Sequence, residues 1–454
     1  MRFVKNLKVK LFPARPTGRF TQRTARLLSV ALLGASLAGG WLTRGAYGAE
    51  RLAELTGVFA ADFNHDGSRV LVRTREDAMG LWDVATGAPV AGDLGTKTVG
   101  DKWVMSADAR RVLVGFKAGG ARIFDTTTGV ALSPMIEFSL RDETHAAFSP
   151  DSTLVVMLDK TVAAVVQVES GRRMAMIPMG LPGAEDEPTT TSAVIFSADG
   201  AQCFLMNQTG TVMRYDTKTW KPSEPALRHP AAPQAYTFGF AVSRDGKWIA
   251  TFDNPGENGP QGHLQIWDAA KGKALGKPLS AMNGMEGCFL PSSDRLLIMP
   301  GRGEARVRDL PSLKGYAIRQ HDEIEGPSVE VSPDGRWLLS WGSDRSLHLL
   351  DAATGAIKGS QSSGAAIRQV LVSPDTSGCF VLFDNTAFLA QNHHDFYVVK
   401  LDFPAFRITH SRRFTESVQR MALSPDGGRL LIQAGSSDRE RLLFLNTADL
   451  TPPP

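Results

Sequence analysis

The sequence has little cysteine. Its 454 residues include only three cysteines, too few for the disulfide framework that stabilises small secreted domains. Cys203, Cys288 and Cys379 lie far apart, and each precedes a Phe in an apolar segment. We therefore expect buried thiols that pack as small apolar side chains. Apolar residues make up 43% of the chain and charged residues 21%, which excludes a largely disordered chain and a membrane protein with many spans.

Sequence motifs of the common enzyme classes are also missing. The chain contains no P-loop, no Gly-x-Ser-x-Gly elbow, no His-Glu-x-x-His and no Cys-x-x-Cys-His, which are the local patterns of phosphate binding, nucleophilic catalysis, zinc proteolysis and haem attachment. The sequence thus predicts no catalytic residue, no cofactor and no metal ligand by local pattern.

The first 49 residues contain no acidic side chain, although nine of the 50 Lys and Arg residues lie there. An apolar run of 16 residues follows at 27–42 and spans roughly 24 Å, less than the ~30 Å apolar core of a bilayer. Ala46 and Gly48 have the spacing of a cleavage site. We predict that residues 1–49 are a signal peptide or an uncleaved signal anchor.

This prediction has consequences for location and charge. The remaining chain, residues 50–454, would be exported to the periplasm or another extracytoplasmic space. A membrane would be its partner only through the N-terminal segment, if that segment is not cleaved. The formal charge of +3 also changes, because the 41 Lys and Arg residues after position 49 face 47 Asp and Glu. The exported part is therefore mildly acidic.

From residue 50 onward, one unit recurs nine times, and its most regular feature is a tight turn around an aspartate. Successive turn aspartates are 40 to 51 residues apart. Asp accepts hydrogen bonds from the backbone that follows it, and Gly tolerates a positive φ, so that a sequence such as Ser-Pro-Asp-Gly closes a hairpin. The nine turn aspartates are Asp66, Asp108, Asp151, Asp199, Asp245, Asp294, Asp334, Asp375 and Asp426.

A second anchor, a bulky residue followed by Asp, recurs in phase with the first. Apolar segments flank both turns, so each unit holds four antiparallel strands in about 44 residues, which is typical of a propeller blade. The clearest second anchors are Trp82-Asp83, Phe124-Asp125, Tyr215-Asp216, Trp267-Asp268 and Leu350-Asp351.

In these anchors the chain resembles the WD40-repeat family, whose Trp-Asp pair is kept at Trp82-Asp83 and Trp267-Asp268. The resemblance implies an all-β fold, a single large β-propeller of four-stranded antiparallel blades over residues 50–454. Nine repeats leave eight or nine blades. Repeat 9 shows three strands, and residues 51–55 are expected to supply its fourth and so close the ring.

The family also has a buried hydrogen-bond network of His, Ser, Asp and Trp. This chain lacks the Gly-His pair that usually precedes the first strand, and only Asp344 matches the loop Asp of the family well. We therefore expect the network to be mostly missing, with the blades relying on apolar packing.

Long connections are expected on one face of the disc, where loops on a rigid scaffold carry function. Tolerated insertions are the alternative explanation for their length. These connections are residues 180–191, 228–234, 254–262, 384–395 and 404–416. The possible partner-binding residues on this face are Glu185, Asp186, Glu187, His229, His321, Asp322, His393, His394 and Asp395. The last three lack further ligands at a recognisable spacing, which favours a solvated polar loop over a metal site.

These features favour a non-catalytic scaffold that binds a protein or peptide with its long-loop face. No nucleic-acid partner is expected, because no basic stripe with interleaved aromatics follows residue 49. The alternative is a propeller enzyme, a lyase, hydrolase or oxidoreductase, with a site at the mouth of the central channel. A quinoprotein dehydrogenase is disfavoured, because its blade motif continues to a Trp that is missing here after Gly87, Gly129 and Gly355.

Overall fold

The protein is a β-propeller of nine sheets. A computed structural model describes residues 58–452 apart from 75–77, 96–97, 117–118, 139–145, 159–161, 179–190, 208, 231–236, 255–261, 282–284, 301–303, 319–320, 322–327, 363, 385–394 and 436–439. The described residues form 34 strands and no α-helix. Seven sheets have four antiparallel strands and two have three. The all-β propeller is confirmed, and nine blades replace the prediction of eight or nine.

The blades follow one another along the chain, and we number them in that order. Blades 1 to 4 consist of β1 (Val58–Phe63), β2 (Arg69–Thr74), β3 (Met79–Asp83) and β4 (Pro89–Gly95); β5 (Thr98–Met105), β6 (Arg111–Phe116) and β7 (Ala121–Asp125); β8 (Ala146–Phe148), β9 (Leu154–Leu158), β10 (Val162–Gln167) and β11 (Arg173–Pro178); and β12 (Thr191–Phe196), β13 (Gln202–Asn207), β14 (Thr211–Asp216) and β15 (Pro222–Arg228).

Blades 5 to 9 continue the same order. They consist of β16 (Thr237–Val242), β17 (Trp248–Asn254), β18 (Gly262–Asp268) and β19 (Lys273–Ala281); β20 (Met285–Phe289), β21 (Arg295–Pro300), β22 (Ala305–Asp309) and β23 (Gly315–Ile318); β24 (Ser328–Val331), β25 (Trp337–Trp341), β26 (Ser346–Asp351) and β27 (Ile357–Ser362); β28 (Ala366–Val372), β29 (Gly378–Asp384), β30 (Phe396–Asp402) and β31 (Ile408–Phe414); and β32 (Val418–Leu423), β33 (Arg429–Ala434) and β34 (Arg441–Asn446).

Burial explains the composition of each strand within a blade. The second strand lies between two neighbouring blades and buries both of its faces, so it is almost wholly apolar, as in the Trp-Leu-Leu-Ser-Trp of β25. The fourth strand lies at the outer edge and is mostly exposed, as in the Ile-Lys-Gly-Ser-Gln-Ser of β27. Each blade therefore contributes a buried second strand and an exposed fourth strand, and this pattern recurs along the chain.

Apolar clusters join each blade to the next, all round the ring. The cluster between blades 9 and 1 connects the two ends of the described chain. In it, the Phe63 and Phe444 rings meet edge to face with their centroids 5.8 Å apart. Beside it, the Arg420 guanidinium lies 3.3 Å from the Asp62 carboxylate. The ring is therefore closed through side-chain packing.

Blades 2 and 9 have three regular strands among the described residues. In blade 2, the chain after β7 makes only two isolated bridges, Ala121 with Ile136 and Phe124 with Ala131, in place of a fourth strand. For blade 9, the expected contribution of residues 51–55 lies outside the described residues, as does the N-terminal segment 1–49. The closing strand exchange stays a prediction.

One predicted long connection is wrong. Residues 404–416 include β31, Ile408–Phe414, which pairs with β30 over its whole length. Because β31 is an outer strand, most of its side chains face solvent and its sequence is largely polar. It therefore lacks the apolar pattern by which a strand is recognised.

Candidate functional site

The two faces of the ring have different connections. In all nine blades, five residues join the first strand to the second, and four or five join the third to the fourth where both are regular. We call this side the uniform face. On the other side, the variable face, the second-to-third connections and those from a regular fourth strand to the next blade range from two to twelve residues. Four of the five predicted long connections lie on the variable face.

The turn aspartates of the uniform face are used by their own turns. In blade 7, the Ser332 hydroxyl donates to Asp334 at 2.6 Å, and the Arg336 N–H donates to the same carboxylate at 3.0 Å. Equivalent bonds from Ser197 and Ala201 hold the pKa of Asp199 below its usual value. Asp66, Asp108, Asp245 and Asp426 accept the same bond from the backbone N–H two residues further on.

The second anchor also serves the backbone. Asp351 accepts hydrogen bonds from the N–H groups of Ala353 and Thr354 and from the Thr354 hydroxyl. Asp83, Asp125 and Asp216 make the same three bonds in their own turns, and Asp268 accepts from Lys271. The bulky partners pack between blades, with Trp267 buried between blades 4 and 5 and Trp82 half-buried between blades 9 and 1. These residues therefore hold the fold.

Among the predicted partner-binding residues of the variable face that the structure describes, one lies in an ion pair and two are buried. Asp395 is paired with Arg413, whose Nε and Nη2 atoms donate to its two oxygens at 3.0 and 2.9 Å. The side chains of His229 and His321 are 0% and 1% exposed, so they lie inside blades 5 and 7 instead of facing a partner. The remaining candidates lie outside the described residues: Glu185, Asp186, Glu187, Asp322, His393 and His394.

In blade 5, His229 belongs to a buried network of four side chains. Its Nδ1 lies 2.8 Å from the Thr251 hydroxyl, to which the Trp267 indole N–H donates at 2.9 Å. The other ring nitrogen of His229 lies 3.5 Å from the Asp253 carboxylate. The His263 backbone N–H also donates to Asp253. This is the His, hydroxyl, Asp and Trp combination that the resemblance implies, which we expected to be mostly missing.

In blade 7, His321 occupies the corresponding position. Its Nε2 lies 2.7 Å from the Ser340 hydroxyl and its Nδ1 lies 3.0 Å from the nearer oxygen of Asp344. Ser340 pairs with His348 across β25 and β26, as Thr251 pairs with Gln265 across β17 and β18. Two residues further along, Leu350 stands where blade 5 has Trp267, so blade 7 has the first three members of the network. Among the described residues, the network is thus complete in blade 5 and lacks only the Trp in blade 7.

A second histidine joins the blade 7 network at the variable face. His348 Nε2 lies 3.1 Å from the Ser346 hydroxyl, which donates to Asp344 at 2.5 Å and lies 3.3 Å from His321 Nδ1. The two imidazole rings are 5.1 Å apart, centroid to centroid. One ligating atom each from His321, Asp344 and His348 lies within 4.8 Å of the other two. Among the described residues, this is the one His, Cys, Asp and Glu cluster compact enough to hold a metal ion.

The electrostatics of this cluster favour an ionised Asp344. Burial alone would raise the pKa of its carboxyl, but hydrogen bonds from Ser346 and His321 and the nearby imidazole outweigh that effect and lower the pKa below its usual value. The side chain of Asp344 is 21% exposed. The cluster thus offers a partly exposed, charged carboxylate and two imidazole rings, of which that of His321 is buried.

Ser340, His321 and Asp344 have the connectivity of a hydrolytic triad, but Ser340 is 0% exposed within β25. A nucleophile must reach the reacting carbon of a substrate. A serine inside a sheet between two blades does not, so this chain of bonds is structural.

Sequence reasoning missed Thr251, Asp253, Ser340 and His348 as partners of the two histidines. One signal was present: in both blades a His precedes the first strand, a hydroxyl residue lies in the second, and an Asp lies near the end of that strand or follows it within a few residues. The Gly-His pair and the spacing of the loop Asp do not include this pattern. His348 has no such signal, because its neighbours across the sheet are set by strand register.

Solved structures similar to this protein share its fold. A crystal structure of a eukaryotic initiation factor has a TM-score of 0.60 at 12% identity, with 84% of this chain and 94% of that chain covered. The Dos1 propeller has a TM-score of 0.51 at 12% identity, with 74% and 91% covered. The computationally designed Ika8 protein has a TM-score of 0.50 at 13% identity, with 72% and 94% covered. At such low identity these likenesses establish the propeller fold alone.

No family model and no curated protein matches the sequence. A search of the described residues for a helix long and apolar enough to cross a membrane found none.

Proposed function

We propose that this protein is a WD40-like propeller that acts as a non-catalytic scaffold and binds a protein or peptide on its variable face. In the same proposal it is exported, or held at a membrane by residues 1–49. The observation that carries the binding role is the contrast between the two faces. Nine connections of equal length keep the uniform face constant, whereas the variable face has connections of many lengths on the same rigid ring.

Blades 8 and 9 carry a row of arginines on the variable face. Arg368, Arg413 and Arg441 have half-exposed guanidinium groups, and each pairs with a more buried carboxylate of Asp384, Asp395 or Glu416. The carboxylates lie behind the guanidinium groups and fix their direction. Half-exposed guanidinium groups suit a partner with carboxylate groups, so an acidic protein segment is the partner class that these residues favour.

The test compares two triple variants of the full chain. The variant Arg368→Gln/Arg413→Gln/Arg441→Gln removes the row on the variable face. The matched control, Lys218→Gln/Lys247→Gln/Lys271→Gln, removes the same charge from exposed positions in turns of the uniform face. In affinity capture from a cell-envelope extract, we expect a specific partner that the arginine variant retains less than about a tenth as well as the wild type, which corresponds to roughly 1.4 kcal/mol. The lysine variant should keep it.

Two results would argue against the proposal. One is a partner that is lost with the lysine variant and kept with the arginine variant, since binding would then use the uniform face. The other is the absence of any specific partner for the wild type. Export is tested separately, by the N-terminal sequence and the cell fraction of the protein expressed with residues 1–49, and an uncut chain in the cytosol would contradict it.

A further inference from the structure

We propose that His321, Asp344 and His348 form a binding site for a divalent transition-metal ion of the Zn²⁺ type on the variable face of blade 7. The inference goes beyond the scaffold role and does not depend on it. Its basis is a cluster of three ligating side chains from three different segments of the blade. One ligating atom of each lies within 4.8 Å of the other two.

The donor set suits zinc. Two imidazole nitrogens and one carboxylate oxygen are ligands that Zn²⁺ takes at about 2.0–2.2 Å, with water in the fourth position when three ligands come from the protein. Hard cations such as Ca²⁺ and Mg²⁺ prefer oxygen ligands alone and are therefore disfavoured here. The carboxylate of Asp344 is the anionic ligand of the set.

In each imidazole, the ring nitrogen that points away from the cluster already has a hydrogen-bond partner. His321 Nε2 lies 2.7 Å from the Ser340 hydroxyl, and His348 Nδ1 lies 2.8 Å from the Ser360 hydroxyl. Metal-binding histidines commonly have their second nitrogen fixed by a hydrogen bond, which sets the tautomer and the ring direction. Here both rings therefore have the support that a ligand requires, and their other nitrogens point into the cluster.

Ser346 marks the point where the three ligands converge. Its hydroxyl oxygen lies 3.3 Å from His321 Nδ1, 2.5 Å from Asp344 Oδ2 and 3.1 Å from His348 Nε2. A rotation about its χ1 angle removes the hydroxyl from this point. An ion in its place would need the two imidazole nitrogens to move inward by about 1 Å, and the carboxylate oxygen by about 0.4 Å, to reach zinc–ligand distances.

Blade 5 provides an internal comparison. It has the same His and Asp pair in His229 and Asp253, but Gln265 occupies the position that corresponds to His348. The third ligand is thus specific to blade 7. An ion there would join the connection between β23 and β24, through His321, to the β25–β26 turn and to β26.

The experiment uses the full-length protein after removal of bound metal with a chelator. Zn²⁺ is titrated into it by calorimetry, and Co²⁺ is used as a spectroscopic probe of the coordination. We expect one Zn²⁺ per chain at this site and the intense visible absorption of four-coordinate Co²⁺ with imidazole ligands. His348→Gln, which installs the residue of blade 5, should weaken Zn²⁺ binding by more than about tenfold and remove the Co²⁺ absorption.

Three controls make the result decisive. His263→Gln replaces the second histidine beside Asp253 in blade 5 and should leave binding unchanged. His393→Gln/His394→Gln tests the other histidine pair and should also leave it unchanged. Ser346→Ala removes only the hydroxyl at the point of convergence and should bind Zn²⁺ at least as tightly as the wild type. Folding of every variant is checked by circular dichroism.

Three results would contradict the proposal. If the wild type binds no Zn²⁺ at concentrations up to about 100 µM, the cluster is a hydrogen-bond network only and the proposal fails. If His348→Gln binds as the wild type does, or if Ser346→Ala abolishes binding, the ion lies elsewhere and the proposal fails as well. None of these results bears on the partner lost with the arginine variant.

Discussion

Blades 5 and 7 contain the same chain of His, hydroxyl and Asp, yet they end it in different ways. In blade 5 the indole of Trp267 donates to Thr251 and completes a network that is buried throughout. In blade 7 the apolar Leu350 takes the place of the indole, and the network extends instead through Ser346 to His348 near the surface. The third strand therefore differs between the two blades in a way that matters. Its residues complete a purely structural network in blade 5 and keep ligating groups near solvent in blade 7.

The largest expected loss of stability comes from the residue at the end of the network. Trp267→Ala removes a side chain buried between blades 4 and 5 and the donor to Thr251, so we expect it to lower the free energy of unfolding by about 3–5 kcal/mol. Leu350→Ala loses packing alone and should cost at least about 1 kcal/mol less. Denaturant unfolding of both variants measures this. Equal losses would show that the indole hydrogen bond contributes nothing and that the two blades are held in the same way.

The next effect is the loss of the aspartate in each network. Asp253 is fully buried beside His229 and His263, and removing one partner from a buried charged network costs about 3 kcal/mol or more. Asp344 is partly exposed, so Asp344→Ala should cost only about 1 kcal/mol. The same unfolding measurement compares them. If Asp344→Ala proves the more damaging, the blade 7 network holds the fold more than its exposure suggests.

The smallest effect is the pH dependence that Asp344 gives to blade 7. The folded-state pKa of Asp344 lies below its usual value, so its contribution to stability is present above the unfolded value of about 3.9 and is lost as the pH falls through the folded pKa. The stability difference between the wild type and Asp344→Asn should therefore shrink as the pH falls from about pH 5 towards pH 3. Unfolding at four pH values within about that range tests this, and a difference that grows over that range would contradict the direction of the shift.

The sequence predicted the blades well because their signals are local. A Ser or Asn at the start of the turn, an Asp two residues later and a small residue after it form hydrogen bonds within five positions of one another, as Ser332, Asp334 and Trp337 do. Such bonds recur wherever the pattern recurs. The outer strand β31 escaped prediction because an exposed edge needs no apolar alternation.

The placement of the histidines depended on contacts that the sequence does not display. His229 and His321 lie in long connections, where we expected surface groups. Each instead turns inward to a hydroxyl 22 or 19 residues away on a second strand. The side chain of a loop residue points towards the hydrogen-bond partner that the folded blade presents. Strand register decides which residue that partner is.

The sequence by itself determined the number of repeats, the four-stranded plan of a blade and the positions of its turns, because turn chemistry and strand burial act over a few residues. Only the tertiary structure decided how the ring closes and which side chains meet. Phe63 reaches Phe444, and His321 reaches Asp344 and His348, only after whole blades have formed and packed. Contacts of that kind join residues far apart in the chain, and three-dimensional packing alone brings them together.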